Sequence, residues 1–177
     1  MELLNINNLK LAIASGNLDA FTQLFRQYYA KLVRFSIAIT DQHEIAEEVA
    51  SEVFVQLWNK RSQLASVSNL EAYMYQSIKN RSLNEIKSLK KNISIDKIED
   101  PASTESSDSK IVTDEVSSSI RKVIQSLPSQ CRTCYLLVKE EGMTYKQVGE
   151  ILGISHRTVN AHLVIAIKQI TEALKNN

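Results

Sequence analysis

Residues 143–163 read MTYKQVGEILGISHRTVNAHL, and two glycines four residues apart interrupt its regularly spaced aliphatic residues. A close crossing of two helices requires a residue with almost no side chain, and a tight turn between them requires one that tolerates positive φ. Gly149 and Gly153 fit these two positions. The stretch therefore predicts a helix-turn-helix, with an ordinary helical hairpin as the alternative.

Capping residues and apolar spacing set the limits of the two helices. Thr144 is expected to cap the first helix and Ser155 the second, because hydroxyl oxygens accept hydrogen bonds from the free N–H groups of a first turn. The second helix is expected to bury one apolar stripe and to expose the opposite face. The predicted buried stripe consists of Val159, Leu163, Ala166, Ile167 and Ile170, and the predicted exposed face of Arg157, Asn160, Ala161, Val164 and Lys168.

That exposed face carries side chains suited to reading a DNA major groove. Arginine can bind guanine and asparagine adenine through two hydrogen bonds each, and a small apolar side chain can contact the thymine methyl group. The expected base contacts are Arg157, Asn160 and Ala161. The side chains expected to bind phosphate or to cap are His156, Thr158, His162 and Lys168. At each position the alternative is a simply solvated side chain.

The composition of the chain is that of a helical globular protein. Its 177 residues are 44% hydrophobic and 23% charged, and they include four glycines and two prolines. So few helix-breaking residues disfavour a turn-rich β fold. No secretory signal opens the chain, and no stretch has the roughly 18–20 apolar residues that span a bilayer. We expect an all-α protein in the cytoplasm, without membrane insertion.

Charge divides the chain into three parts. Lys and Arg counted against Asp and Glu give +2 for residues 1–92, −5 for 93–119 and +4 for 120–177, which sum to the net charge of +1. The middle is rich in serine and poor in apolar residues, so burial cannot offset the entropy of ordering it. We expect one helical domain over 1–92, a flexible acidic linker over 93–115 and a second helical domain over 116–177.

Periodic apolar residues predict three main helices and a short N-terminal helix in the first domain. Asp41 is expected to cap the second main helix, with Glu44 as its capping-box partner. Residues 44–61, EIAEEVASEVFVQLWNKR, place four glutamates among apolar residues, which fits either a solvated surface or an acidic, partly apolar helix face that docks a basic protein surface. In residues 70–91, LEAYMYQSIKNRSLNEIKSLKK, tyrosines precede basic and amide groups, which fits either base stacking beside a cationic groove or core edges with solvated lysines.

The stretches AEEVASEVFVQLW, AYMYQSIKNR and LPSQCRTCYLLVKEEGMTYKQVGEILGISHRTVNAHL, with an acidic linker before the last, resemble the extracytoplasmic-function group of bacterial sigma factors. The resemblance covers nearly the whole chain from about Asn17. It implies a dissociable subunit that binds core RNA polymerase, helps to melt the −10 promoter element and reads the −35 element as duplex. It also implies weak binding to free promoter DNA, and an anti-sigma factor as a partner.

Transferred residue by residue, the resemblance implies three surfaces. The core polymerase-binding face falls on Glu47, Glu48, Ser51 and Glu52. The −10 surface falls on Tyr73, Tyr75, Lys79, Asn80 and Arg81, with the loop 61–69 as a pocket for a flipped base. The −35 surface falls on Arg157, Thr158, Asn160, Ala161 and Lys168. The chain departs from the family pattern at Ser51, Cys134, Gly149 and Ile165, where relatives commonly carry glutamine, an aliphatic residue, alanine and a basic residue.

Two other classes of function are open on the sequence. A stand-alone helix-turn-helix regulator would be a stable dimer that binds two symmetric half-sites, whereas a sigma factor is expected to be a monomer when free. An enzyme would depend on Cys131 and Cys134 as a dithiol, but two small residues in a helical pattern favour a place in the core. No cofactor or metal is expected, because no nucleotide-binding, metal-ligand or catalytic pattern is present.

Overall fold

The computed structural model describes residues 6–95 and 115–175, and every regular element in this part of the chain is a helix. The helices are α1 (Ile6–Ala14), α2 (Leu18–Thr40), α3 (His43–Asn59), α4 (Leu70–Ile95), α5 (Glu115–Ser126), α6 (Ser129–Tyr135), α7 (Tyr145–Leu152) and α8 (His156–Lys175). The predicted all-α class is confirmed. Most of the predicted acidic linker lies outside the described residues.

Domain one is a bundle of α1 to α4. The long α2 packs against α3 and α4, and a 3₁₀ segment, Arg61–Ser66, joins α3 to α4 and packs against α1. Leu24, Phe35 and Met74 are fully buried in its core. Because α2 has apolar residues at spacings of three and four, one helix can contribute to contacts with all three of its neighbours.

The junction between α2 and α3 differs from the sequence prediction. Asp41 adopts a left-handed conformation with φ of 58° and ends α2, and its N–H donates to the carbonyl of Ile37. Gln42 occupies the N-cap position of α3 and makes no side-chain capping bond. The prediction that Asp41 caps α3 was wrong, because this residue instead closes the preceding helix, a role that few residues other than glycine and asparagine fill.

The caps in domain two agree with the sequence predictions. The N–H of Gln147 donates to Thr144 Oγ1 at 3.3 Å and the N–H of Thr144 donates to Gln147 Oε1 at 2.9 Å, which completes a capping box. The N–H of Thr158 donates to Ser155 Oγ at 3.0 Å. Gly153 ends α7 in the left-handed region with φ of 73°. The predicted limits of the helix-turn-helix are confirmed.

The close helix crossing expected at Gly149 is also present. A Cβ atom added to Gly149 would lie 2.7 Å from the carbonyl oxygen of Ile154, in the turn before α8. Upstream of α7, α6 continues into a π-helical turn, Leu136–Glu140, before the chain reverses at Gly142. The predicted helix over residues 129–141 is therefore an α-helix that widens in its second half.

The two domains pack directly against each other, which the sequence analysis did not predict. Helix α7 contacts α4, and α6 contacts α2. One continuous apolar core contains Leu137, Val148 and Ile151 of domain two together with Phe35 and Met74 of domain one. A smaller core, built from Leu127, Cys131, Ala166 and Ile170, joins α5, α6 and α8.

Candidate nucleic-acid interface

The outer face of α8 carries the residues predicted to read DNA. Arg157, Asn160, Ala161, Val164 and Lys168 are all exposed, whereas Val159, Leu163, Ala166 and Ile170 are buried. Ile167 is 39% exposed, so the prediction that it belongs to the buried stripe was wrong. The stripe is narrower than predicted because the four buried residues, three or four apart, already complete the packing of α8.

Thr158 and His162 differ from the other predicted phosphate-binding groups because each is only partly exposed, whereas His156 and Lys168 are exposed and Lys168 pairs with Glu172 of its own helix at 3.9 Å. Thr158 is half-buried, and its Oγ1 lies 2.8 Å from Ser155 Oγ within the helix cap. His162 is half-buried, with Nδ1 3.5 Å from Cys131 Sγ. His156 is exposed at the first position of α8. Of the predicted −35 residues, Thr158 thus contributes to positioning the start of the helix.

The predicted −10 residues on α4 point in different directions. Tyr73 is 37% exposed and Asn80 is exposed. Lys79 is half-buried and faces domain two, since its Nζ would lie 4.0 Å from a Cβ added to Gly153. Arg81 faces α3, where it forms an ion pair with Glu52. The structure therefore leaves Tyr73 and Asn80 as the accessible members of this set.

Tyr75 is fully buried, so it offers no ring face to a base in this structure. Its ring meets that of Phe35 edge to face, with 5.1 Å between centroids. Burial raises the pKa of the Tyr75 hydroxyl above its usual range, and the charges of Glu141 and Glu71 add to that effect. Tyr75 is therefore a core residue, which was the alternative to an exposed stacking ring. It is buried because domain two packs over this part of the bundle.

The segment between α3 and α4, predicted to form a base pocket, borders an open cleft. Leu64 anchors the 3₁₀ segment in the core, and Lys10 Nζ donates to the carbonyl of Val67 at 2.7 Å. The guanidinium of Arg61 lies over the ring of Trp58, 4.6 Å from its centroid. A cleft of about 300 Å³ is lined by Ala14, Ser15, Gly16, Asn59, Arg61 and Ser62. The cleft is polar and is reached directly from solvent.

The acidic face of α3 is bordered by aromatic side chains of α2, a contribution that sequence reasoning missed. Glu47, Glu48 and Ser51 are exposed, and Glu52 is half-buried. Ser51 Oγ lies 3.4 Å from Tyr29 Oη, and the ring of Tyr29 stacks on that of Phe25 with 4.6 Å between centroids. Phe25 is 38% exposed. The aromatic residues of α2 were the available signal, but their spacing alone did not show which of them reach the surface.

Cys131 and Cys134 are buried and not joined by a disulfide. Burial raises the pKa of both thiols, that of Cys134 to about 11 with a smaller effect from Cys131. A thiol needs a lowered pKa to be a good nucleophile near neutral pH. These two residues therefore act as core side chains.

Within residues 6–95 and 115–175, no helix combines the length and the apolar composition that a bilayer span requires.

Comparison with known proteins identifies the family. The family model for sigma-70 region 2 matches residues 24–92, and the model for sigma-70 region 4 matches residues 117–170. The RNA polymerase sigma-H factor of Pseudomonas aeruginosa is 22% identical over 174 residues, which cover 92% of this chain and 90% of that protein.

Two solved structures share the fold. CnrH in complex with the cytosolic domain of CnrY has a TM-score of 0.65 at 16% identity, with 97% of each chain covered. The sigma factor RpoE of Bartonella quintana, in complex with the anti-sigma factor NepR, has a TM-score of 0.66 at 21% identity, covering 88% of this chain and 96% of that one. With region 2 on the first helical domain and region 4 on the helix-turn-helix, this chain belongs to the extracytoplasmic-function group of the sigma-70 family.

Proposed function

We propose that this chain is a transcription initiation factor that binds core RNA polymerase in the cytoplasm and directs it to a particular set of promoters. The observation that carries the proposal is the match of sigma-70 regions 2 and 4 to two helical domains, the second of which presents an exposed reading face on α8. The chain acts by binding and positioning and performs no catalytic step of its own.

The proposed polymerase-binding face is the acidic surface of α3 with its aromatic border. Glu47, Glu48 and Ser51 supply exposed polar groups beside the exposed ring of Phe25. A surface that combines carboxylates with an apolar ring favours a partner that offers cations around an apolar centre, because charge steers the encounter and apolar burial supplies affinity. Glu52 is proposed to join this face, although here it is paired with Arg81.

The proposed −35 reading face is the exposed side of α8. Arg157, Asn160 and Ala161 lie within its first two turns, where a recognition helix contacts base edges. Lys168 lies two turns further along and is proposed to contact phosphate. Thr158 is proposed to act through the cap that holds the start of the helix.

The proposed −10 surface consists of Tyr73 and Asn80, extended by the polar cleft beside Arg61. Tyr73 and Asn80 are seven residues, about two turns, apart and so share one face of α4. An exposed ring and an amide on one face suit an unpaired base, which needs a stacking partner and groups for its hydrogen-bonding edge. Lys79 and Arg81 belong to the same proposed surface, where Lys79 is half-buried beside the Gly153 turn and Arg81 is half-buried and paired with Glu52.

We also propose a protein inhibitor as a partner. The two similar solved structures hold sigma factors in complex with the cytosolic domain of CnrY and with the anti-sigma factor NepR. An anti-sigma factor of this kind would act on the present chain by covering the surfaces that bind polymerase or DNA.

Transcription with purified core polymerase on a promoter library tests the proposed function. We expect the chain to select a discrete set of start sites, and Glu48→Gln to raise the concentration needed for half-maximal transcription. Glu140→Gln is the matched control, because Glu140 is an exposed glutamate outside the proposed surfaces. Start sites that do not change when the chain is added would refute the proposal.

A measurement of mass and DNA binding separates this function from a dimeric regulator. A sigma factor of this kind is expected to be monomeric and to bind promoter duplex weakly without polymerase, because each small basic module contacts few phosphates. A stable dimer with tight, selective binding to symmetric half-sites would favour the regulator instead.

A further inference from the structure

Helix α8 exposes a valine in the middle of its proposed reading face. The side chain of Val164 is 57% exposed, whereas Val159 and Leu163 on the opposite side are 0% and 2% exposed. A single exposed aliphatic side chain is ordinary on a protein surface, so exposure alone assigns it no role. What distinguishes Val164 from other exposed aliphatic residues is its position on the helix.

Val164 lies on the same face of α8 as the residues proposed to contact bases. Counted from Arg157, the exposed residues Asn160, Ala161 and Val164 follow at positions +3, +4 and +7. At about 100° per residue, Val164 is turned only about 20° from Arg157 around the helix axis. In a homeodomain, the helix in the major groove contacts DNA through residues at these same spacings. Val164 therefore faces the bases whenever Arg157 does.

The length of this face matches about four base pairs. From Arg157 to Val164 the helix rises about 10.5 Å, close to three steps of about 3.4 Å along DNA, and from Ala161 to Val164 it rises about 4.5 Å, roughly one step. One turn after Val164, Lys168 Nζ lies 3.9 Å from Glu172 Oε1, and both side chains are exposed. Because phosphate repels a carboxylate, the part of α8 that faces DNA is expected to end before Glu172.

The group in a major groove that suits an aliphatic side chain is the methyl group of thymine. Guanine, adenine and cytosine present hydrogen-bonding groups there, which a valine would strip of water without pairing them. Valine on a helix is held largely in one rotamer, so its two methyl groups are already positioned and lose little entropy on contact. The exposed Ala161 offers a further methyl group one turn earlier on the same face.

We propose that Val164, together with Ala161, contacts the methyl groups of neighbouring thymines in the −35 element. The element bound by this chain then carries thymine within about four base pairs of the base that Arg157 contacts. This inference rests on the proposed function and specifies the class of DNA sequence that the chain selects. Each methyl group that is removed from water on binding is worth roughly fourfold in affinity.

Templates with uracil in place of thymine test the contact, because the two bases differ only in that methyl group. A promoter library transcribed by core polymerase with the full chain first gives the selected −35 sequence. The Arg157→Ala variant then identifies the base pair at which selection depends on Arg157. Each thymine within about four base pairs of that position is replaced by uracil, one at a time, and transcription is measured at limiting concentrations of the chain.

With the wild-type chain, we expect uracil at one or two adjacent positions to lower transcription by roughly three- to fivefold. The Val164→Ala variant should show a similar loss on the thymine template and no further loss when uracil replaces thymine at one of these positions. Leu174→Ala is the matched control, because Leu174 is 45% exposed on the same helix but lies beyond Glu172. The control should keep the full sensitivity to uracil. Circular dichroism confirms that each variant is folded.

Three results would overturn the thymine contact. The first is a selected −35 element without thymine near the base contacted by Arg157, and the second is a wild-type chain that uses uracil and thymine templates equally well. The third is a Val164→Ala chain that keeps the wild-type ratio between the two templates; an equal loss on both would indicate a protein contact at this residue instead. If the chain changes start sites on no template, the proposed function itself fails, whereas start sites directed without regard to the methyl group refute only the thymine contact.

Discussion

Replacing Gly149 by alanine tests the helix crossing that defines domain two. Alanine favours the helical state by about 1 kcal/mol over glycine. Against this, the added Cβ would lie 2.7 Å from the carbonyl oxygen of Ile154 and 3.5 Å from the amide nitrogen of His156. A carbon–oxygen contact normally needs about 3.3 Å, so the turn must move by roughly 0.6 Å.

The expected balance is destabilising. Overpacking of a tight contact costs about 1–3 kcal/mol, and here the obstructing atom belongs to the backbone rather than to a flexible side chain. The carbonyl of Gly149 also accepts from the N–H groups of both Gly153 and Ile154, so a displaced turn strains two hydrogen bonds. Because a backbone atom and two hydrogen bonds must move, we place the cost in the upper part of that range, about 2–3 kcal/mol, so that Gly149→Ala should lower the free energy of unfolding by roughly 1–2 kcal/mol after about 1 kcal/mol of helix propensity is subtracted.

Urea unfolding followed by circular dichroism measures the change in the free energy of unfolding. Transcription from a promoter that depends on its −35 element tests whether a displaced α8 still recognises that element. Gly142→Ala is the matched control, because it has positive φ but no atom within 4 Å of the added Cβ. That control should lose stability through backbone strain alone and keep promoter selectivity. A Gly149→Ala protein as stable as the wild type, with unchanged selectivity, would refute the close-crossing argument.

Three further outcomes follow from the structure. Thr144→Ala removes one side of the capping box and should cost about 1 kcal/mol of unfolding free energy in urea. Arg157→Ala should weaken selection at one −35 position by about 1–3 kcal/mol in core-dependent transcription without changing the unfolding curve, and an equal loss on all promoters would argue against a base contact. Because the pKa of the Cys134 thiol is raised to about 11, stability should be unaffected below about pH 9 and fall by roughly 1–3 kcal/mol as pH rises toward 11. The Cys134→Ala variant should lose less unfolding free energy than the wild type over this alkaline range. Identical pH profiles of stability for the two proteins would contradict a contribution from the Cys134 thiol.

The local features of domain two were predictable from the sequence because each depends on residues a few positions apart. The capping box of Thr144, the left-handed turn at Gly153 and the cap at Ser155 all require particular side chains at fixed spacings. The close approach at Gly149 is of the same kind. The order of the family stretches likewise determined the family, as the matches to regions 2 and 4 confirm.

Only the tertiary structure decided which of the candidate side chains are accessible. Tyr73 and Tyr75 are two residues apart on α4, yet one is 37% exposed and the other fully buried, because a helix turns through roughly 200° between them and a second domain covers the far side. Asp41 likewise ends α2 rather than starting α3, and it meets Arg132 across 91 positions of chain. Spacing along one helix determines a face, but what covers that face depends on contacts between distant segments, which no local pattern encodes.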